Sequence, residues 1–429
     1  MKRIYSCVAG LAVLAIAGSA YAGSYQLNDY SVTGLGRAYA GQGIMGDDYS
    51  AIAFNPAGMT LMKKSGVQQA FSMINLKSDL VGVGTSILGS QNEGKKAKMD
   101  FWQPIPAGFA QYNVNDKLFL GLGIYAPYGL KTEYKSNWFG SDSAVLSKLD
   151  IVDFNLSAAY KLDEHWSVGA SAILRYIYGR MTQTIPAGIP GLPIGLGDRE
   201  INFNVHGWTQ TGTLGVMYEV DKDTRFGLSY RLRSAQRAKG LFKTTGNNAV
   251  YVPGVIDMDA VAPGSYSVNA NPDLPETITF SAYHRYKDVG FSGTARWTHW
   301  TSSFPNFSVR SAGIPTDGEK YTDYRYANTW TLTAGADWYY NKNWTFRCGG
   351  GWDESPTHKP DRRTFRIPDN DRWWMSVGAS YILNNWQFDV AYAHMIGKTG
   401  VSSEDPLKIH AKYKNLQSNI LGVQVQYKF

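Results

Sequence analysis

A chain of 429 residues with 42 basic and 35 acidic side chains carries a formal charge of +7, and no Lys/Arg-rich block concentrates it, which argues against nucleic acid as a partner. Aromatic residues make up 14% of the chain, with 28 tyrosines and 13 tryptophans, while charged residues make up only 18%, a balance foreign to an ordinary soluble protein. Mean hydropathy is nevertheless −0.29, and past residue 22 nothing approaches the ~18 apolar residues of a membrane helix, so a helical membrane protein is excluded.

In chain order, residues 1–22 read as a secretory leader: Lys2 and Arg3, a mainly apolar run from Val8 to Ala17, and Ala20-Tyr21-Ala22 as the cleavage site. Loss of Lys2 and Arg3 lowers the formal charge from +7 to +5, and loss of Cys7 leaves Cys348 alone, so no internal disulfide is expected. Residues 23–64 have no clean period. Glycines at 34, 36, 41, 43 and 46 interrupt both a helical stripe and a strand alternation, which predicts a compact irregular segment. It runs through Asn55-Pro56-Ala57-Gly58, where Pro56 fixes its own φ, pushes Asn55 out of the α region and leaves the Asn55 side chain free to bond nearby backbone. An ordinary N-terminal arm with a turn would account for the composition alone.

Residues 65–429 show no linker or shift in composition and read as one domain of strands. In the last segment Leu421, Val423, Val425, Tyr427 and Phe429 alternate with Gly422, Gln424, Gln426 and Lys428. The same period recurs at Phe226–Arg233 and Trp386–Ala393, giving each strand one apolar and one polar face. Short polar turns at 113–116, 162–164, 221–223, 286–288, 341–343 and 384–385 alternate with longer loops near 79–98, 128–149, 184–199, 239–274, 302–323, 355–370 and 398–414. Counting them predicts an all-β protein, a transmembrane antiparallel β-barrel of about 14 strands with both termini on the short-turn side and strands that project beyond the bilayer. Such a lumen is too wide for wall side chains to fill, so 23–64 is expected to be a plug, or hatch, inside it.

The run Ser24-Tyr25-Gln26-Leu27-Asn28, the stretch Gly34–Tyr39, Asp47-Asp48 and Asn55-Pro56-Ala57, together with Leu274-Pro275-Glu276, Asn343–Arg347, Asp353–Pro356 and Phe365–Trp374, resembles the long-chain fatty acid transporters of the Gram-negative outer membrane and their relatives that import aromatic hydrocarbons. The terminal strand ending on Phe429 likewise resembles the signal read by the barrel assembly machinery. The resemblance implies a passive channel that captures a long-chain fatty acid or other hydrophobic small molecule at its outer loops, binds it in the lumen and releases it sideways into the membrane. In the family the opening follows an inward kink in the third strand. Here that strand carries Gly121, Gly123 and Pro127, which suit a bent, incompletely paired backbone; the same glycines could instead ease packing around the plug.

Trp138, Phe139, Ile189 and Leu192 stand in apolar loops and are the candidate outer capture surface; packing of the loops on one another, or against lipopolysaccharide, is the alternative. Alternation places Arg175, Arg231, Arg233, Arg296, Arg347 and Asp353 in the lumen, either pairing with Asp29, Asp47, Asp48 or each other, or offering one arginine to a ligand carboxylate. The seven histidines show no metal spacing and no serine stands in a nucleophile motif, so neither catalysis, metal nor cofactor is expected. A monomer in the outer membrane is the reading. The rivals are a porin, which has no use for a plug, and an adhesin or phage receptor.

Overall fold

The computed structural model describes residues 25–82, 96–136, 138–141, 143–185, 199–245, 264–302, 307–311, 319–322, 325–404 and 409–429. The leader, Ile189 and Leu192 lie outside the described residues. Among the described residues nineteen strands form one antiparallel sheet, and fourteen of them are staves of a closed barrel. The first seven staves are β1 (Gly66–Gly82), β2 (Lys96–Asn113), β3 (Leu118–Glu133), β4 (Leu146–Lys161), β5 (Trp166–Ile185), β6 (Arg199–Glu219) and β7 (Thr224–Arg231). After a hairpin, β8 (Ala238–Thr244) and β9 (Gly264–Ala270), come the staves β10 (Thr277–Tyr286) and β11 (Val289–Thr298). A second hairpin, β12 (Phe307–Ser311) and β13 (Glu319–Thr322), precedes staves β14 (Thr329–Tyr339), β15 (Trp344–Asp353), β16 (Arg372–Leu383) and β17 (Trp386–Gly397). The short β18 (Gly400–Glu404) then pairs with the last stave, β19 (Ile409–Lys428), which closes the ring on β1.

Segments expected as loops thus carry strand. β1 runs on to Gly82, β3 to Glu133, and the regions near 239–274, 302–323 and 398–414 contain hairpins or an added strand. The reason is length: β5 and β6 have 20 and 21 residues, about twice the ~9–11 that cross a bilayer, so the sheet continues as a wall outside it.

On β17, Trp386, Phe388, Val390 and Tyr392 are exposed while Gln387, Asp389, Ala391 and Ala393 are buried, as period two requires. On β14 the exposed Trp330 and Trp338 stand eight residues apart on one face, about 26 Å along the strand, and mark two aromatic belts around an apolar band. At the short-turn end four turns repeat one device: Asn115, Asp163, Asp221 and Asn341 each accept two backbone N–H bonds, at 2.7–2.9 Å, from residues two and three positions on.

Residues 25–62 lie within the ring. They form two short helices, Val32–Gly36 and Ala51–Phe54, and a 3₁₀ turn, Pro56–Leu61, and nearly every residue is buried against inward faces of staves on all sides. Glycines of the wall make the fit possible. A Cβ at Gly169 would stand 2.5 Å from the Pro56–Ala57 peptide, and one at Gly121 would stand 2.7 Å from Ile52.

Candidate lumen and lateral site

The plug is held in its own shape by Asp48. Its carboxylate accepts from Ser31 and Thr33 hydroxyls at 2.6 and 2.8 Å and from Ser50 at 2.5 Å, while the Ser31 oxygen also accepts from Gly34 N–H and caps the first helix. Asn55 leaves the α region with φ −149°, as Pro56 demands. Its Oδ1 accepts from Ala57 N–H at 3.1 Å and its Nδ2 donates to the Val216 carbonyl of β6 at 3.2 Å. A Cβ at Gly215 would collide with Asn55, so the wall leaves a slot for the Asn55-Pro56-Ala57 turn.

Four charges join plug to wall, Arg37, Arg347 and Asp337 buried and Asp47 partly exposed. Arg37 reaches Asp47 at 2.5 Å and Asp337 at 2.6 Å, and Arg347 reaches the same Asp47 at 3.1 Å and Asp337 at 3.3 Å. Arg175 makes two bonds to Asp153, at 2.6 and 2.8 Å, with Arg231 a further 3.6 Å neighbour of that carboxylate. Asp353 accepts from Thr331 and lies 3.3 Å from Arg372. Asp29 meets no arginine among the described residues; it accepts from the Tyr39 hydroxyl at 2.6 Å. Arg296 differs from the others: it donates to neutral oxygens, Asn28 Oδ1 at 2.7 Å and Thr331 Oγ1 at 3.2 Å, with no carboxylate within ion-pair distance among the described residues. Arg233 is not in the lumen. β7 ends at Arg231, and the Arg233 side chain is half-exposed and pairs with Asp273 at 2.7 Å.

The third stave is irregular, two to six residues beyond the proposed glycines. Gly121 and Gly123 pair in register with both β2 and β4, and their missing side chains make room for Ile52, Met59 and Phe109. The β2–β3 ladder stops at Gly108 opposite Ile124, although both strands continue. On the other side of β3 the register slips between Tyr125 and Tyr128, where Ala126 and Pro127 oppose one residue of β4. Beyond the slip β3 takes the N-terminal segment as a partner: Leu27 N–H donates to Pro127 O, and Gly129 N–H to Tyr25 O, both at 2.8 Å. Residues 96–107 of β2 therefore have no strand on their β3 side among the described residues. Asn113 N–H turns to Ser65 beside β1 and Val114 N–H to Leu118, so even-numbered residues of β2 direct their amides toward β3. Pro104 and Pro106 fall on that side and lack the N–H that would be left unpaired. Two prolines at alternate strand positions are the sequence signal of this edge.

Trp138 and Phe139 are not an exposed capture surface. Both are buried, Trp138 stacked on Tyr134 at 4.1 Å and edge-on to Phe365 at 5.4 Å, because the outer loop folds back on the wall and closes over Leu80 and Met99. Near them Asp369, buried and 2.7 Å from Arg372, has its carboxyl pushed above the usual range by burial. Between β3, β4, β5, β6 and the Arg366–Ile367 stretch lies a pocket walled by Tyr25, Leu130, Leu149, Ile177, Phe203 and Ile367, with Arg366 and Lys148 in its lining, the latter paired with Asp150 at 2.8 Å. Its mainly apolar lining suits a hydrophobic ligand.

A family model described as "Outer membrane protein transport protein (OMPP1/FadL/TodX)" matches residues 13–429. The long-chain fatty acid transport protein of Salmonella typhi is 29% identical over 98% of this chain and 97% of its own, and that of Escherichia coli O6:H1 is 30% identical over 90% of each. Outer membrane protein P1 of Haemophilus influenzae is 27% identical over the whole of both chains. Among solved structures, a Pseudomonas aeruginosa FadL homologue superposes with a TM-score of 0.82 at 23% identity, covering 94% of this chain and 99% of that one. The Ralstonia pickettii toluene transporter TbuX superposes with a TM-score of 0.66 at 21% identity over the same shares.

Proposed function

Because the chain belongs to this family of outer-membrane transporters of hydrophobic compounds, we infer that its cargo is a long-chain fatty acid, captured in the outer pocket, passed along the lumen beside the plug and released through the wall between β2 and β3. The observation that carries the reading is the interrupted β2–β3 ladder, with β3 bent toward the N-terminal segment and β2 ending its pairing in a proline-marked edge. Free backbone edges are untenable in hydrocarbon unless they face protein, ligand or water, so the gap lines a path. The long-chain fatty acid transport proteins among its relatives favour a carboxylate-bearing cargo over a neutral hydrocarbon. We take residues 23–64 as the hatch, with Asn55, Pro56 and Ala57 its anchor on β5 and β6. Pro127 belongs to the lateral opening, whereas Gly121 and Gly123 support the plug. Arg296 is the lumen arginine best placed to meet the carboxylate, and Arg175, Arg347 and Asp353 hold structure. We further read the protein as a monomer, surrounded by outer-membrane lipid and inserted by the barrel assembly machinery, which meets the strand ending in Phe429.

The test is deletion of Ala126. Removing one residue restores the β3–β4 register and returns the upper part of β3 to the face on which its lower part already points. Uptake of radiolabelled oleate, in cells whose own transporter has been removed, should fall to background while the barrel stays folded and heat-modifiable; normal uptake through the folded deletion variant would refute lateral exit.

A further inference from the structure

The outer face of β19, β1 and β2 changes character abruptly with height. At one level Phe71, Leu421 and Val423 are exposed and apolar, and above them Trp102 stands opposite Asn75, which stands opposite Asn419. Trp102 is half-exposed and belongs to the outer aromatic belt. Directly above it the outward positions of three consecutive rungs carry Lys77, Lys96, Lys98, Lys412 and Lys414: Lys77 stands opposite Asp100, Asp79 between Lys98 and Lys414, and Val81 between Lys96 and Lys412. Asp79 and Asp100 share the face. Asn415 donates to Asp79 at 2.8 Å and Asn75 to Asp100 at 3.0 Å, while Lys98 and Lys77 lie 3.4 and 3.8 Å from Asp100. Five lysines against two aspartates leave three positive charges on this face, counted among the described residues.

Two of the lysines are there because of a backbone device. Below Asn415 the outward residues of β19 are odd-numbered (Leu421 and Val423), and above it they are even-numbered (Lys412 and Lys414), with Tyr413 and Ala411 buried. The switch occurs where the β1–β19 register slips between Lys77 and Asp79, and Asn415, at φ +53°, takes the left-handed conformation that such a bulge needs. Without the slip, Lys412 and Lys414 would point into the barrel and Tyr413 out.

A dense cationic face just above an aromatic belt stands where the charged headgroups of the outer leaflet lie, and an anionic headgroup there gains from every lysine within a Debye length. We propose that the outward face of β19, β1 and β2 is a binding site for the phosphate groups of lipopolysaccharide. The inference rests on residence in the outer membrane and not on the cargo. Bisphosphorylated lipid A is the probe, added to the purified full-length protein in detergent and followed by native mass spectrometry. The variant Lys77→Gln/Lys98→Gln/Lys414→Gln should weaken its binding at least ~10-fold, and Lys63→Gln/Lys222→Gln/Lys342→Gln, which removes as much charge from the opposite end, should leave it unchanged. Wild-type protein should prefer bisphosphorylated to fully dephosphorylated lipid A, an arm that needs no variant to fold. Equal binding of the two lipids, unchanged affinity in the first variant, equal weakening in the second, or displacement by millimolar inorganic phosphate would overturn the proposal. Oleate uptake is not the readout, so failure of the transport reading leaves this one standing or falling by itself.

Discussion

Arg37 and Arg347 each reach both Asp47 and Asp337, so the seam between plug and wall is a neutral square in which every charge has two opposite neighbours. Removing one corner leaves both carboxylates with a single partner, Asp337 in a buried place and Asp47 in a partly exposed one, and breaking such a pair costs about 3–5 kcal/mol where burial is complete. Arg347→Ala should therefore lower unfolding stability in detergent by about 3 kcal/mol. A loss below about 1 kcal/mol, the range of exposed pairs, would show that water already screens the square. Arg296 is the contrasting case. Its bonds to Asn28 and Thr331 spend donors on neutral oxygens, and it meets the Asp353 carboxylate only through the Thr331 hydroxyl, which leaves part of its charge for an anion. A charge-assisted bond contributes about 1.5–3 kcal/mol, so Arg296→Ala should weaken oleate binding about tenfold or more while affinity for an uncharged alkane stays as it was. Equal loss for both ligands in a titration by intrinsic fluorescence would assign Arg296 to packing. Of these partners only Asp47 was legible in the sequence, as one of the plug acids that a lumen arginine could meet; Asp337, Asn28 and Thr331 were not. Alternation told which side of a strand an arginine takes, and it did so for Arg175, Arg296 and Arg347, but partners up to 300 residues away are set by how the plug seats.

At the scale of elements, the plug depends on glycines of the wall as much as on its own residues. Overpacking a filled interior costs typically 1–3 kcal/mol, and the Gly169 position stands 2.5 Å from the backbone of Pro56 and Ala57. Gly169→Val should thus unseat the Asn55-Pro56-Ala57 turn, raising single-channel conductance in planar bilayers without loss of the heat-modifiable barrel. Conductance as low as that of the wild type would mean that the turn is not part of the seal. The staves themselves were legible, because β17 and the last third of β19 repeat every two residues and the polar turns between strands carry Asn or Asp where two amides need an acceptor. Bulges were harder to place. Pro127 marked the third strand for irregular pairing, and the slip lies beside it, whereas the slip at Asn415 inserts a residue that becomes visible only through the strand opposite. The burial of Trp138 and Phe139 was hidden for a similar reason: an apolar pair in a loop is capture surface or core according to what folds over it, here Tyr134 and Phe365.

For the molecule as a whole the question is where an insoluble cargo goes. Every CH₂ kept from water is worth about 0.8 kcal/mol, so a fatty acyl chain that left by the short-turn end would lose the benefit of each methylene as it entered the periplasm. At that end the plug is also stitched to the wall, with Asn113 reaching Met62 O at 2.8 Å and Tyr49 N–H reaching Gln68 at 2.6 Å. The gap beside β2 offers the opposite: an edge at the height of the apolar band, below the Trp102 belt, with Pro104 and Pro106 in place of exposed donors. A chain leaving there exchanges the apolar cluster around Phe109, Ile124 and Tyr125 for acyl chains. A photoreactive long-chain fatty acid, supplied to cells and irradiated during uptake, should accordingly label the β2 edge between Gln103 and Ala107 together with the facing Tyr125–Tyr128 turn of β3. Labelling concentrated at Lys63, Lys64 and the neighbouring turns, with the β2 edge unmarked, would place the exit at the periplasmic floor, and the wall would then be a closed barrier whose gap serves only the bend of β3.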